Sequence, residues 1–110
     1  MYYLGLDVGS SSVKAAIVDA KSGKSILSVH EPKNEMGINS LNNDWAEQDP
    51  NMWWKYTCDA IKRVCKESNV DSKKIGSIGI SYQMHGLVVV DNNGSPLRDS
   101  IIWCDSRAVN

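Results

Sequence analysis

The sequence lacks any apolar run long enough to cross a bilayer. Its longest apolar runs, such as residues 87–90, are far shorter than the roughly 20 residues that a transmembrane helix requires. The first residues also lack the charged segment that opens a secretory signal, and they lead directly into a strand pattern. We therefore expect a cytoplasmic protein with no membrane partner.

Clusters of basic residues are also absent from the sequence. Lys and Arg total 12 against 13 Asp and Glu, which gives a net charge of −1. Because affinity for a nucleic-acid backbone depends on clustered Lys and Arg, we expect no nucleic-acid partner. A small phosphorylated ligand stays compatible with this charge, since backbone N–H groups and a metal ion can hold phosphates.

Cysteine is scarce, with three residues and no C-x-x-C pair. Cys58 and Cys65 lie seven residues apart on one predicted helix, and Cys104 stands alone. This set has too few ligands for a metal site, and we interpret it as reduced thiols.

The 110 residues correspond to one domain or less, which can bury roughly 65% of its unfolded surface. Alternating apolar residues predict strands at residues 2–8 and 13–19, and a third strand is expected near residues 25–30. Their short connections indicate an antiparallel meander. Residues 31–47 are polar and predict a long surface loop.

A helix is predicted next, with Asp49 as the N-cap and Pro50 in its first turn. Three further strands are expected at residues 75–82, 87–90 and 100–107, the second of them covered on both faces. The order β-β-β-α-β-β-β predicts a mixed α/β fold. The predicted apolar face of the helix consists of Trp53, Trp54, Thr57, Cys58, Ala60, Ile61, Val64 and Cys65.

The first candidate site is the connection between the first two strands. Asp7 lies near the end of an apolar strand, and Gly9, Ser10, Ser11 and Ser12 follow it. A turn with several free N–H groups binds anions, and a nearby carboxylate can hold Mg²⁺ directly or through water. Lys14 would add positive charge towards the same phosphates. The alternative is an ordinary serine-rich hairpin turn with an exposed Asp.

The second candidate site interrupts two apolar runs with Gln83, Met84 and His85. Gln83 and His85 offer hydrogen-bond donors and acceptors, and Met84 offers an adaptable apolar wall. A polyol substrate needs both kinds of contact. The alternative is a structural histidine beside a methionine that fills space in the core.

The segment from Asp7 to Ser11 resembles the first phosphate loop of the actin-like ATPase superfamily. Together with "ISYQMHG", "WAEQDPNMWW" and "IIWCDSR", it resembles the N-terminal part of the FGGY family of carbohydrate kinases, and most closely the xylulokinases within that family. The resemblance implies a ribonuclease-H-like mixed sheet. It also implies that residues 1–110 are an incomplete sugar-binding domain, with the rest of that domain and a C-terminal domain lying outside this chain.

The resemblance further implies an ATP-dependent kinase that phosphorylates D-xylulose on O5. In this interpretation Asp7 is the essential carboxylate near Mg²⁺ and the γ-phosphate. The base that accepts the hydroxyl proton would be an Asp in a later segment, so the 110 residues alone are expected to be inactive. A homodimer of the longer enzyme is an open expectation. The phosphate contacts would come from Gly9, Ser10, Ser11, Ser12 and Lys14, and the sugar contacts from Gln83, Met84, His85 and Trp103, with Asp105 and Arg107 at the edge of the pocket.

Two alternatives stay open at this point. Gluconate kinases of the family share the Met-His pair, whereas glycerol kinases carry an Arg-Glu pair near that position. A non-catalytic actin-like binding module would have no need for the segment Gln83-Met84-His85 or for Trp103. A free imidazole has a pKa of about 6.5, which suits a general base, but sugar binding explains the histidine at position 85 equally well. Residues 45–54 are interpreted as a structural segment that caps and anchors the helix.

Overall fold

A computed structural model describes residues 1–108 of the chain. The first three strands are β1 (Tyr2–Val8), β2 (Val13–Asp19) and β3 (Ser25–Glu31), and a short strand β4 (Glu47–Gln48) precedes the helix. Helix α1 spans Pro50–Ser68, and a single 3₁₀ turn follows at Ser72–Lys74. Strands β5 (Ile75–Tyr82) and β6 (Ser100–Ile101) complete the described elements.

The main sheet has the strand order β3-β2-β1-β5. Strands β1, β2 and β3 form the predicted antiparallel meander, and β5 pairs with β1 in the parallel direction. Strands β4 and β6 form a separate two-stranded sheet. The predicted mixed α/β class is therefore confirmed.

The core lies between the main sheet and α1. Side chains of β1 and β2 alternate between the two faces of the sheet, and the apolar residues of the inward face are buried in the cluster that the helix covers. Helix α1 packs mainly on β2 and β3 rather than on β5. The buried apolar cluster contains Leu4, Leu6, Val13, Ala15, Ile17, Val29, Ala60, Val64 and Val70.

Local capping chemistry sets the bounds of α1. The Asp49 carboxylate accepts a hydrogen bond of 2.9 Å from the backbone N–H of Asn51, and Pro50 occupies the first turn as predicted. The helix ends at Asn69, which has a left-handed backbone with φ of 57°. The predicted apolar face of the helix is wrong at one position, because the Trp54 side chain is 70% exposed.

The predicted strand at residues 87–90 is wrong. Residues 87–90 are all exposed. They form only isolated bridges, from Leu87 to Ile101 and from Val90 to Pro96. A strand covered on both faces needs neighbouring elements on each side, and residues 1–108 do not supply them. The last predicted strand is also shorter than expected, since only Ser100–Ile101 pairs, with β4, before the chain turns at Trp103. Strand β4 lies at the end of the segment that the sequence predicted as a loop.

Within residues 1–108, α1 is not apolar enough to cross a membrane, and the structure contains no other helix of comparable length.

Candidate active site

The two candidate sites lie at the same end of the main sheet, where strands β1 and β5 end. Asp7 stands opposite Lys14 in the antiparallel pair and next to Ser81 in the parallel pair. Immediately beyond, the backbone N–H of Gln83 donates a hydrogen bond of 2.9 Å to the carbonyl of Val8. The parallel pairing of β1 and β5 therefore brings the serine-rich turn and the Gln-Met-His segment side by side, although more than seventy positions separate them in the sequence.

The connection at residues 9–12 is a tight turn with free donors, and we call it the phosphate turn. Its ends are joined by a 3.0 Å hydrogen bond from the Gly9 N–H to the Ser12 carbonyl. A Cβ atom at Gly9 would lie 3.1 Å from that oxygen, so a larger residue would strain the turn. The N–H groups of Ser10, Ser11 and Ser12 have no acceptor among residues 1–108. Such a turn provides the donors that an anion requires.

A cavity of about 360 Å³ opens beside the phosphate turn. Lys14 and Lys33 bring positive charge to its wall, and His30 adds an imidazole. Lys33 and His30 were not predicted as site residues, because the sequence indicates only a strand end and a polar loop at these positions. The full lining consists of Ser11, Ser12, Lys14, His30, Pro32, Lys33, Asn34 and Glu35.

A second cavity, of about 240 Å³, lies at the Gln-Met-His segment. Both polar atoms of the Gln83 side chain, Nε2 and Oε1, are buried without a hydrogen-bond partner among the described residues. An unpaired buried amide costs about 1–3 kcal/mol. The lining consists of Val8, Trp53, Tyr82, Gln83, His85, Gly86 and Val88. We call this space the Gln83 cavity.

The backbone of the same segment is strained. His85 has φ of 65°, a left-handed conformation that residues with a side chain seldom adopt. Strain of this kind is concentrated at ligand-binding and active sites. Met84 does not contribute to a core, because it is 64% exposed.

Trp103 links the carboxyl-terminal segment to the phosphate turn. Its indole Nε1–H donates a 3.2 Å hydrogen bond to the hydroxyl of Ser10, while the side chain remains 59% exposed. The structure therefore places Trp103 at the phosphate turn, next to the region where the sequence predicts the sugar. Its predicted role as a sugar contact stays a prediction.

Asp105 and Arg107 lie in a different environment, which we call the ion-pair cluster. The Arg107 guanidinium donates from Nη2 to Asp105 at 2.7 Å and to Glu47 at 2.8 Å, and it lies 3.9 Å from the centre of the Trp45 ring. Asp105 also accepts from the backbone N–H of Ala46 at 2.6 Å. Neither Asp105 nor Arg107 lines the Gln83 cavity. Their polar groups are paired without any ligand.

The ion-pair cluster shifts the protonation equilibria of its members. Hydrogen bonds from Arg107 hold the pKa of Asp105 far below its ordinary value. Those from Arg107 and then Arg98 lower the pKa of Glu47 in the same direction. The hydrogen bond to Asp105 raises the pKa of Arg107. All three groups therefore stay charged at neutral pH.

Asp7 is the residue that the resemblance assigns to Mg²⁺. Its carboxylate is exposed and forms no ion pair with another residue in 1–108. The described residues contain no group of three metal-binding side chains. A single carboxylate nevertheless fits Mg²⁺ in phosphate chemistry, since this ion is usually held by one or two carboxylates together with substrate phosphates and water.

Two further residues, Trp53 and Gln48, belong to this region, and neither is predicted as a site residue from the sequence. Trp53 lines the Gln83 cavity, and its indole Nε1–H donates to Oε1 of Gln48 at 3.0 Å. Gln48 is 3% exposed and donates in turn to the carbonyl of Ser10. Both residues belong to the segment that the sequence interpretation treated as structural. The available signal was an amide placed directly before a helix N-cap and five residues before a tryptophan.

The sheet order and the serine-rich turn at its edge define a domain of the actin-like ATPase fold. The chain belongs to the FGGY family of carbohydrate kinases, whose N-terminal domain model matches residues 2–110. This finding confirms the family resemblance drawn from the sequence.

Individual relatives agree with this assignment. A xylulose kinase of Staphylococcus epidermidis is 41% identical over 104 residues, which cover 94% of this chain and 20% of the relative. A solved structure described as a "xyloylose kinase" from Brucella ovis has a TM-score of 0.88 at 34% identity and covers 98% of this chain and 22% of its own. A gluconate kinase structure from Lactobacillus acidophilus has a TM-score of 0.82 at 29% identity, with coverages of 94% and 20%. The chain thus spans about one fifth of the length of the curated relatives it matches.

Proposed function

We propose that residues 1–110 supply the phosphate turn and part of the sugar pocket of a longer ATP-dependent sugar kinase, here called the full-length kinase. The proposed reaction is transfer of the γ-phosphate of ATP to O5 of D-xylulose. The proposal is supported by the family match and by relatives named xylulose kinase at up to 41% identity.

One structural observation carries the proposal. The Gln83 N–H bonds to the Val8 carbonyl at 2.9 Å, directly after Asp7 and directly before the phosphate turn. Phosphoryl transfer depends mostly on positioning and on stabilisation of charge. A phosphate held at the phosphate turn and a polyol held at the Gln83 cavity would therefore meet at one edge of the sheet.

Each group has a proposed task in this arrangement. The N–H groups of the phosphate turn and the ammonium of Lys14 would bind and neutralise the phosphates. The amide of Gln83 and the imidazole of His85 would bind sugar hydroxyls, with Met84 along the carbon chain. Mg²⁺, held through Asp7, would supply charge neutralisation for the phosphates. The proton acceptor is proposed to lie in the full-length kinase beyond residue 110, as the family resemblance implies.

Gluconate is the second candidate substrate. It is favoured by the structural similarity to the gluconate kinase of Lactobacillus acidophilus, at 29% identity. Both substrates are chains of hydroxyl-bearing carbons and differ mainly in a carboxylate. Lys14 and Lys33 line the cavity beside the phosphate turn, whereas the described lining of the Gln83 cavity contains neither Lys nor Arg. The absence of a fixed positive charge from that lining favours the neutral keto-sugar.

The test is ADP release by the full-length kinase with MgATP. D-Xylulose, D-ribulose, D-gluconate and glycerol are compared in parallel, and kcat/KM is determined for each. We expect D-xylulose to have the highest kcat/KM. An Asp7→Asn variant serves as the control, because loss of the carboxylate should abolish turnover with every substrate.

The outcomes separate the alternatives. A preference for D-gluconate would keep the kinase and replace the proposed substrate. Release of ADP with none of the four compounds would overturn the D-xylulose proposal and favour a non-catalytic actin-like binding module.

A further inference from the structure

Gln48 occupies the interior between the phosphate turn and the Gln83 cavity. It is 3% exposed and lies on β4, where its backbone pairs with Ser100 of β6. Strand β6 in turn links β4 to the Gln-Met-His segment. Ile101 of β6 exchanges backbone hydrogen bonds of 2.9 and 3.2 Å with Leu87, which lies just after that segment. The backbone of Gln48 is therefore fixed on the side of the proposed sugar pocket.

The side chain of Gln48 bonds in three directions. Its Nε2 donates to the carbonyl of Ser10 in the phosphate turn and, at 3.2 Å, to the carbonyl of Gly37. Its Oε1 accepts from the indole Nε1–H of Trp53 at 3.0 Å. Both donors of the amide are used, and its oxygen is also occupied.

These partners allow only one orientation of the amide. An indole N–H can donate but cannot accept, and a carbonyl oxygen can accept but cannot donate. Rotating the amide by 180° would place its oxygen against the carbonyls of Ser10 and Gly37 and would leave a buried donor facing Trp53. Ser10, Gln48 and Trp53 therefore form a hydrogen-bonded relay, in which displacing one end strains or breaks the bonds that lead to the other end.

The two ends of the relay belong to different parts of the candidate site. The Trp53 side chain is a wall of the Gln83 cavity, beside Gln83 and His85. Ser10 belongs to the phosphate turn, and its hydroxyl is held from the other side by the Nε1–H of Trp103 at 3.2 Å. A ligand that holds the Trp53 ring would therefore restrain the carbonyl of Ser10 through Gln48.

We propose that Gln48 is a positioning residue that couples sugar binding to phosphate binding. Occupation of the Gln83 cavity restrains Trp53, and Gln48 transmits this restraint to Ser10, so that the phosphate turn is ordered when the sugar is present. Linkage makes the effect reciprocal, and a bound nucleotide raises the affinity for the sugar by the same factor. This inference rests on the proposed function.

The test measures this factor directly in the full-length kinase. The dissociation constant of the preferred sugar is determined by calorimetry without nucleotide. It is then determined with Mg²⁺ and an ATP analogue whose β,γ-bridging oxygen is replaced by an imido group. The ratio of the two constants is the coupling factor, and typical coupling factors are about 5–150.

Three variants are compared with the unmodified enzyme. Gln48→Glu keeps the acceptor for Trp53 and removes both donors, whereas Trp53→Phe keeps an aromatic wall and removes only the indole N–H. Thr57→Val is the matched control, because Thr57 is buried on the same helix and donates only to the carbonyl of Trp53, at 2.7 Å. Thermal unfolding of each variant reports the folded fraction.

We expect a coupling factor of about 5 or more in the unmodified enzyme and after Thr57→Val, and below about 2 after Gln48→Glu and Trp53→Phe. A merely structural Gln48 would change the unfolding temperature and leave the coupling factor intact, which would overturn the inference. If Gln48→Glu does not fold, the Trp53→Phe result decides. A coupling factor of 1 in an active unmodified enzyme would overturn the inference alone. Absence of sugar-dependent ADP release would overturn the proposed function and the inference with it.

Discussion

Two polar regions of the molecule look alike in the sequence and differ in the structure. One is the ion-pair cluster of Glu47, Asp105 and Arg107, and the other is the segment with Gln83 and His85, here called the open segment. Both place polar side chains beside apolar runs, and members of both were predicted to contact a sugar. Only the structure shows which polar groups already have partners.

The ion-pair cluster is complete within the chain. Glu47 accepts from Arg107 at 2.8 Å and from Arg98 at 2.9 Å, and the Arg107 guanidinium lies over the Trp45 ring. The open segment is incomplete, since the buried amide of Gln83 has no partner among residues 1–108 and His85 holds a left-handed backbone. Paired polar groups are expected to stabilise the fold, whereas unpaired and strained ones are expected to bind a ligand.

The largest expected difference between the regions is in activity, and His85→Asn in the full-length kinase measures it. We expect kcat/KM for the sugar to fall about 100-fold, because the sugar hydroxyl that His85 is proposed to bind loses the imidazole as its hydrogen-bond partner. The unfolding temperature should change by less than about 2 °C, since Asn also adopts a positive φ. His85→Gly is the control, with the same backbone tolerance and no side chain. An unchanged kcat/KM together with a lower unfolding temperature would identify a structural histidine.

The next largest effect is in stability, and Arg107→Met in the ion-pair cluster measures it. The change leaves the carboxylates of Glu47 and Asp105 with fewer partners in a largely buried position, which is strongly destabilising. We expect the unfolding temperature at pH 7 to fall by at least about 5 °C. The value of kcat per folded molecule should stay within about threefold of the unmodified enzyme. A much larger loss of kcat in folded protein would contradict this expectation and support the prediction that Arg107 lies at the sugar pocket.

The same variant has an expected pH dependence. Arg107 lowers the pKa of both Asp105 and Glu47 in the folded state, so the folded protein binds fewer protons than the unfolded chain. The resulting stabilisation is present above the unfolded values of about 4 and is lost as the pH falls below them. The difference in unfolding temperature between the unmodified enzyme and Arg107→Met should therefore shrink below about pH 4. A difference that grows in acid would contradict this assignment of the charges.

The sequence predicts the local elements well where a local pattern decides them. Alternation of apolar residues gives the observed bounds of β1 and β2, and capping by Asp49 and Pro50 gives the start of α1. Composition fails where burial depends on neighbours, as in residues 87–90, which are apolar yet exposed. The same limit explains Trp54, which has helical spacing with the core face but lies outside it.

Site residues follow the same division. The tight turn at residues 9–12 can be predicted because its residues are consecutive in the sequence, and the parallel pairing of β1 and β5 then places Gln83 beside it. Its binding of phosphate stays a prediction. Partnerships over long separations cannot be read from spacing, such as Gln48 with Ser10 at 38 positions and Arg107 with Glu47 at 60. These contacts between distant residues show which polar groups already have partners within residues 1–108.

The smallest expected effect, with opposite signs for stability and binding, comes from Gln83→Met. Methionine has a similar length and removes a buried amide that has no partner among residues 1–108, so the ligand-free kinase should gain about 1 kcal/mol of unfolding free energy. The same change would remove the proposed hydrogen bond to the sugar, and we expect the dissociation constant of the sugar to rise about tenfold. Chemical denaturation without ligand and calorimetric titration measure the two quantities. Gln48→Met is the contrasting control, because that amide is fully paired and its loss should destabilise the protein. A loss of stability in Gln83→Met would show that the amide of Gln83 has a structural partner in the full-length kinase, and the open segment would then resemble the ion-pair cluster.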